Sequence, residues 1–600
     1  MSLRTILIIT LILFAGSAAT AGVTLADLGS QVRLDNGFVS ATWIKATAEM
    51  TSLKHGGDEL LGNGGKGYIQ QNFDGRYSNP SGAKYALETD DPGFKDISFT
   101  WIVGGMEMEL HYAMGQNDSG IYSYVIADYE SARAASTEMQ QFNLALRSDP
   151  RMFTRAYVED DRVYDMPAPE EVAAGTPLSP KEAIELADGT IHYKYLYSNY
   201  IKDLDVHGWT GNGKGLWIIS ASNEYVNGGP THQELTVHQT TTTPVTLKHF
   251  SAAHYGAGTT TFDSDDSPWR KLYGPYMIYL NANAEDDDAM WTDARSRAAR
   301  EIAAWPYGWM DHPLYPLAAE RGTVTGTLNI TDGSNPAGAL VILAQPTDGT
   351  ADTNWQRQGK GYIFWTEATS GGRFIIRNVR PGTYTLYSNV SGVLDEYELN
   401  GVTVTPGTTN ALGKLNWTPR KHGQLIWQIG IPDRTAAEYL HGDDFRHFGM
   451  WFEYPKDFPE GVTYTIGKSD EAADWNFNQW CVENGRGGYD LSPWTIRFDM
   501  DEIVGDQAVL TIAIAAARQA RLRVLVNGVE VLGDDALVND SAGPRAGIQG
   551  FYRERIVKFD SSILSTTSAN AIVLEQRRAG LFPSIMYDCV RLETGFKTDK

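Results

Sequence analysis

A lysine set among tyrosines is the first feature of this sequence that could do chemistry. In Ile191–Tyr200 (IHYKYLYSNY), Tyr193, Tyr195 and Tyr197 alternate with Lys194 and its neighbours at the period of a β-strand. That spacing predicts Lys194 on the face opposite the tyrosines. The chain continues through His207, Lys248, His249 and His254, so the stretch offers amine, imidazole and phenol groups. It holds no close carboxylate pair of the kind a glycosidase uses. Amines and imidazoles serve as base or acid once burial and neighbouring charge tune them. An isolated lysine on a strand is nevertheless most often a solvated side chain.

Arg151 and Arg155 lie four apart in DPRMFTRAY, a spacing that puts them on one face of a strand or side by side on a helix. The planar guanidinium matches a carboxylate bidentately, which makes the pair a candidate clamp for a uronic acid. From spacing alone, two solvated arginines are the commoner outcome. His192, His207, His249 and His254 lack HExxH or any other compact ligand spacing, so no transition metal is expected. The acidic run Asp263–Ser267 (DSDDS) does not match an EF-hand and is more often a solvated turn; calcium stays open there and in the C-terminal part. GNGGKG (62–67) lacks the strand-to-helix context of a phosphate loop, so no nucleotide cofactor is implied.

The words KYLYSNY, VHGW, GLWIIS, NEYVNGGPTHQELTVH and FSAAHYG, in that order, resemble the core of rhamnogalacturonan lyases, polysaccharide lyase family four. The resemblance extends along nearly the whole mature chain. Further words carry it: VEDDRVYDMP after the two arginines, KGYIFW and NVRPGTYTL in the middle, and IGIPDRTAAEY and YDCVRLE near the end. It implies that Lys194 is catalytic with His254 as its partner, and that Arg151 and Arg155 bind substrate. Arg76 in FDGRY, Tyr255, His207 and Lys248 are candidates of second rank, for which turn, packing or surface roles are at least as common. The implied reaction is β-elimination in the rhamnogalacturonan I backbone of pectin, at rhamnose-α-1,4-galacturonate bonds. A base removes the C5 proton of galacturonate and the C4 oxygen leaves, giving a C4=C5 unsaturated end. By analogy Lys194 is the base and His254 the acid, although either side chain can take either role. Two alternatives stay open: a lyase of another uronate polymer, and a pectin-binding protein without turnover.

These groups need a scaffold, and the composition points to an all-β one. The 600 residues include 60 glycines, 30 tyrosines and 16 tryptophans, and short alternating runs are split by Gly, Asn and Asp. Three domains are expected from the length. Residues 22–317 predict a large antiparallel β-sandwich, with one helix over Asp287–Trp305; residues 318–416 a small fibronectin type III-like sandwich; residues 417–600 a jelly roll of carbohydrate-binding type. The resemblance makes the first sandwich galactose-mutarotase-like. Trp451, Trp475 and Trp480 could stack on sugars, although core packing is commoner for any one of them.

The net charge of −24 excludes nucleic acid as a partner and requires any uronate site to be a local cluster of cations. Residues 1–21, with Arg4, the apolar run Ile6–Phe14 and Ala19-Thr20-Ala21, predict a signal peptide cleaved after Ala21, hence secretion with no membrane span. The expected protein is a monomer needing no cofactor. Export permits a bridge between Cys481 and Cys589, which sequence alone neither requires nor forbids.

Overall fold

Alternation along Thr137–Arg147 (TEMQQFNLALR) explains the first sandwich. Met139, Phe142, Leu144 and Leu146 enter one hydrophobic core, while Gln141, Asn143 and Ala145 face the other way. The computed structural model describes residues 22–596 apart from 63, 180–181, 240–242, 252–253, 257–258 and 347–353. The predicted signal peptide lies outside them. No helix among the described residues is long and apolar enough to cross a membrane.

Thr137–Arg147 is a central strand of an eleven-stranded sheet, flanked by Lys66–Phe73 and Val245–Ser251. A nine-stranded sheet, running from Arg162–Asp165 at one edge to Lys84–Asp91 at the other, packs face to face on it. The helix Asp287–Ala304 begins on Asp286, whose carboxylate accepts from Ala289 N, and lays Met290, Trp291, Ala294 and Ala298 on the outer face of the nine-stranded sheet.

A small sandwich follows, made of a three-stranded sheet containing Gly322–Ile330 and a four-stranded sheet containing Leu340–Ala344. The last unit pairs two five-stranded sheets, one built on Gln507–Arg518 and Ser584–Phe596, the other on Asn570–Gln576 and Arg521–Val526. All-β architecture in three sandwiches is what the sequence predicts.

The outer face of the eleven-stranded sheet matters for function. Gln70, Asn143 and His249 lie in one row across its three central strands, and Asn72 sits opposite Gln141. This polar shelf is covered by the third sandwich. Ala145, Leu235, Val245, Leu247 and Tyr255 belong to the same apolar cluster as Phe448, Trp451 and Ala546, so the two units share a core. The second unit is tied to the first by Glu224, buried between Arg321 (2.8 Å) and Arg380 (2.7 Å).

One expectation fails and two open questions are answered. Ile191–Tyr200 is not one strand: Ile191–Tyr193 and Ser198–Tyr200 are strands, joined by a 3₁₀ turn over Lys194–Tyr197. Each tyrosine has its own direction and partner. Tyr193 donates to Pro544 O (2.8 Å), Tyr195 to Glu182 Oε1 (3.0 Å), and Tyr197 meets His192 Nδ1 (3.1 Å). The three-per-turn helix turns Tyr195 and Tyr197 away from the direction of Tyr193, whereas one continuous strand would align all three. Trp451, Trp475 and Trp480 are 1%, 0% and 2% exposed, so they are core and not sugar platforms. Cys481 and Cys589 are both buried free thiols.

Candidate active site

Lys194 opens the 3₁₀ turn, with its backbone N–H donating to Glu182 O (2.9 Å) and its Nζ 5.4 Å from the Tyr195 ring centre. It lines a cavity of about 330 Å³ whose floor is the polar shelf of Gln70, Asn72 and Gln141 and whose walls include Glu182, His238, His254 and Arg545. Burial pushes the Lys194 ammonium below its ordinary 10.5; Arg545 adds to the effect and Glu182 opposes it.

Arg545 comes from the third sandwich. It ends the 3₁₀ turn Gly543–Arg545, lies 4.9 Å from the Tyr195 ring centre and donates to the carbonyl of His254. Its loop is organised by the buried carboxylate of Asp540, which accepts from Ala542 N (2.9 Å), Ala517 N (3.1 Å) and Phe551 N (3.1 Å). Gly256 brings the His254 loop against this one: its φ is +87°, and a Cβ there would lie 2.9 Å from Asp540 Cα.

His254 is held by Glu234. Its Nδ1 lies 2.6 Å from Glu234 Oε1, and its backbone N–H donates to Glu234 Oε2 (3.1 Å). Glu234 sits on Gln233–Leu235, the strand that pairs with Ser198–Tyr200, so the strand after the Lys194 turn positions the carboxylate behind His254. Burial opposes ionisation of Glu234, but His249 and His254 outweigh it and hold the group well below the usual carboxylate range. An ionised carboxylate only accepts, so a proton on His254 Nδ1 suits this 2.6 Å contact and leaves Nε2 as the nitrogen open to reaction. Burial keeps His254 below its ordinary 6.5, with Glu234 pulling upward and Lys194 and Arg545 pushing down. A desolvated amine, a carboxylate-backed imidazole and a guanidinium thus face one polar cavity. That set can abstract a carbon-bound proton beside a carboxylate and protonate a leaving oxygen.

The model of the third domain of polysaccharide lyase family 4, a carbohydrate-binding-like module, matches residues 425–592, and that of the second domain matches 336–412. A rhamnogalacturonate lyase of Dickeya dadantii is 30% identical over 514 residues, covering 82% of this chain and 79% of that protein. A probable rhamnogalacturonate lyase B of Aspergillus flavus is 25% identical, covering 89% and 88%. The chain belongs to polysaccharide lyase family 4. Among solved structures, a galactose mutarotase related enzyme of Lactobacillus acidophilus is 8% identical, covers 42% of this chain and 98% of that one, and has a TM-score of 0.23, a likeness on which no argument rests.

In this lyase the sequence candidates are distributed unequally. Lys194 and His254 share the cavity. Tyr255 is buried beneath it, its hydroxyl 3.4 Å from Tyr195 O. Arg76 is exposed on Arg76–Ser78, and its neighbour Tyr77 is the one that lines the cavity, bonded to Gln141 (3.2 Å).

Arg151 and Arg155 are absent from the described lining and do not share a face. Arg151 lies in the turn after Thr137–Arg147 beside Asp149 (3.5 Å). Arg155 opens a strand of the nine-stranded sheet, near Asp288 (3.7 Å) and Asp165 (3.8 Å). A spacing of four does not reveal that an element boundary falls between them. His207 is buried against Leu247 O (2.8 Å), and Lys248 is bonded to Ser220 and Asn223 (2.8 and 2.7 Å), both away from the cavity lining.

Glu234, His232 and Arg545 went unnoticed in the sequence. Glu234 and His232 stand in the word THQELTVH, where the alternation of QEL was the available signal; Arg545 lies 291 residues from His254 and gave none. In the run Asp263–Ser267, Asp263 caps its own turn through Asp265 N (2.9 Å) and Asp266 pairs with Lys360 (2.6 Å), which makes the run a capped turn.

Proposed function

We propose that this lyase cleaves rhamnogalacturonan I at rhamnose-α-1,4-galacturonate bonds by β-elimination, and that it is secreted after removal of residues 1–21. The convergence of Lys194, Arg545 and the Glu234-held His254 on one cavity carries the reading. Neutral Lys194 takes the C5 proton of a galacturonate, the electron pair passes toward the carboxylate, and Arg545 stabilises the charge gathering there. The C5–C4 π bond forms as the C4–O bond breaks, and His254, charged through Nε2 with Glu234 behind it, gives its proton to the departing oxygen. The base gains one proton and the acid loses one; no water is consumed. An overall charge of −24 does not oppose a polyanion here, because the cations are gathered in the cavity. In this cavity Arg545 takes the part that the family resemblance gave to Arg151 and Arg155. The relatives' names supply the polymer and the residues supply the reaction.

The test is ultraviolet absorbance of the purified protein with rhamnogalacturonan I and, in parallel, with homogalacturonan. A rise with the first only, from the conjugated C4=C5 product, is expected. A rise with homogalacturonan alone would replace the substrate, and no rise with either, despite binding, would leave a pectin-binding protein.

A further inference from the structure

The fold gathers histidines that the sequence scatters. His249 Nε2 lies 3.6 Å from Glu234 Oε1, His254 Nδ1 lies 2.6 Å from the same oxygen, and the three donor atoms fall within 4.8 Å of one another. His232 Nε2 stands 3.8 Å from the other carboxylate oxygen. His249 is buried, yet neither of its ring nitrogens has a hydrogen-bond partner among the described residues. A buried imidazole without a partner is costly unless something fills the gap.

We propose that Glu234, His249 and His254 form a binding site for a divalent transition metal such as zinc, and that occupancy switches the lyase off. Two imidazoles and a carboxylate are a zinc-type donor set, whereas calcium and magnesium require oxygens. Bonds of about 2.0–2.1 Å put the donors of a tetrahedral zinc ion roughly 3.3 Å apart. The His249–Glu234 separation already suits this, the His254–Glu234 contact has to open by about 0.7 Å, and the widest of the three separations, at most 4.8 Å, has to close by about 1.5 Å. The ion enters past His254, the member of the three that lines the cavity.

The switching half of the proposal rests on His254 being the acid. Metal on Nδ1 moves the imidazole proton to Nε2 and takes Glu234 as a ligand. What remains is the N–H of a neutral imidazole, a far weaker acid than the imidazolium it replaces.

The experiment titrates cobalt(II) into the full, chelator-treated protein and follows the visible absorption that marks four- or five-coordinate cobalt. A band saturating at one equivalent, abolished by one equivalent of zinc and missing in His249→Leu and Glu234→Gln, is expected. X-ray absorption of the zinc-loaded wild type, which needs no variant, should show imidazole ligands. The elimination rate should fall about a hundredfold or more with zinc and return with chelator, while His249→Leu, whatever its own rate, should no longer respond. No saturating band, or one unchanged in His249→Leu, would overturn the site and leave water beside His249. A metal-binding protein that eliminates no uronate polymer even after chelation would sink the lyase reading and spare the site.

Discussion

Lys194, His254 and Arg545 are coupled charges, and their coupling has measurable signs. Replacing Lys194 by Ala should lower kcat by about a hundredfold or more, the usual worth of a positioned base, while binding of the polymer is retained. Loss of binding with unchanged kcat would instead make Lys194 a substrate contact. The pH profile of kcat/KM should be a bell, because the proposed elimination needs a neutral lysine and a charged histidine. Its acid limb belongs mainly to His254, below 6.5, and its alkaline limb mainly to Lys194, below 10.5. Arg545 depresses both groups, so Arg545→Met should move both limbs to higher pH as well as slow the reaction. Glu182 raises Lys194, so Glu182→Gln should move the alkaline limb to lower pH. Limbs that stay put in both variants would show that these charges do not tune the pair.

At the scale of elements, two loops from different sandwiches meet at the cavity and carry His254 and Arg545. Gly256 permits their approach, since a Cβ would meet Asp540 Cα at 2.9 Å in a backbone conformation that side chains rarely adopt. Gly256→Ala should cost about 1–3 kcal/mol in a denaturant melt and lower kcat, although it removes no reacting group; a variant with unaltered melt and rate would refute the tight approach. The limits of the sequence reading belong here too. Lys194 and His254 were legible because each sits in a distinctive word. The period of two in Tyr193, Tyr195 and Tyr197 imitated a strand because the partners of their hydroxyls, Pro544, Glu182 and His192, are set by tertiary structure. Arg151 and Arg155 do not share a face for a related reason: four residues of spacing mean a shared face only within one element. Glu234 and the histidines around it are metal-like only in space, which is why ligand spacing along the chain missed them.

At the scale of the whole molecule, all-β architecture followed from composition and alternation, but the seams did not. Glu224 lies between Arg321 and Arg380 with no solvent access to share the charge. Breaking a buried ion pair by removing one partner typically costs about 3–5 kcal/mol, so Glu224→Gln should lower the unfolding midpoint markedly and uncouple the second sandwich. Limited proteolysis should then release that unit more readily; resistance equal to wild type would assign the seam's strength to its apolar contacts.

The bond from Arg545 to the carbonyl of His254 carries a different kind of consequence. A carbohydrate-binding-like module is commonly pictured as a cassette that can be traded between enzymes. Here it supplies part of the wall of the cavity that holds Lys194 and His254, and shares a hydrophobic core with the first sandwich. The two halves of the gene are therefore bound to drift together: a third sandwich borrowed from a distant relative would bring a cation matched to another pocket, and even the middle unit could be exchanged only with Arg321 and Arg380 kept for Glu224.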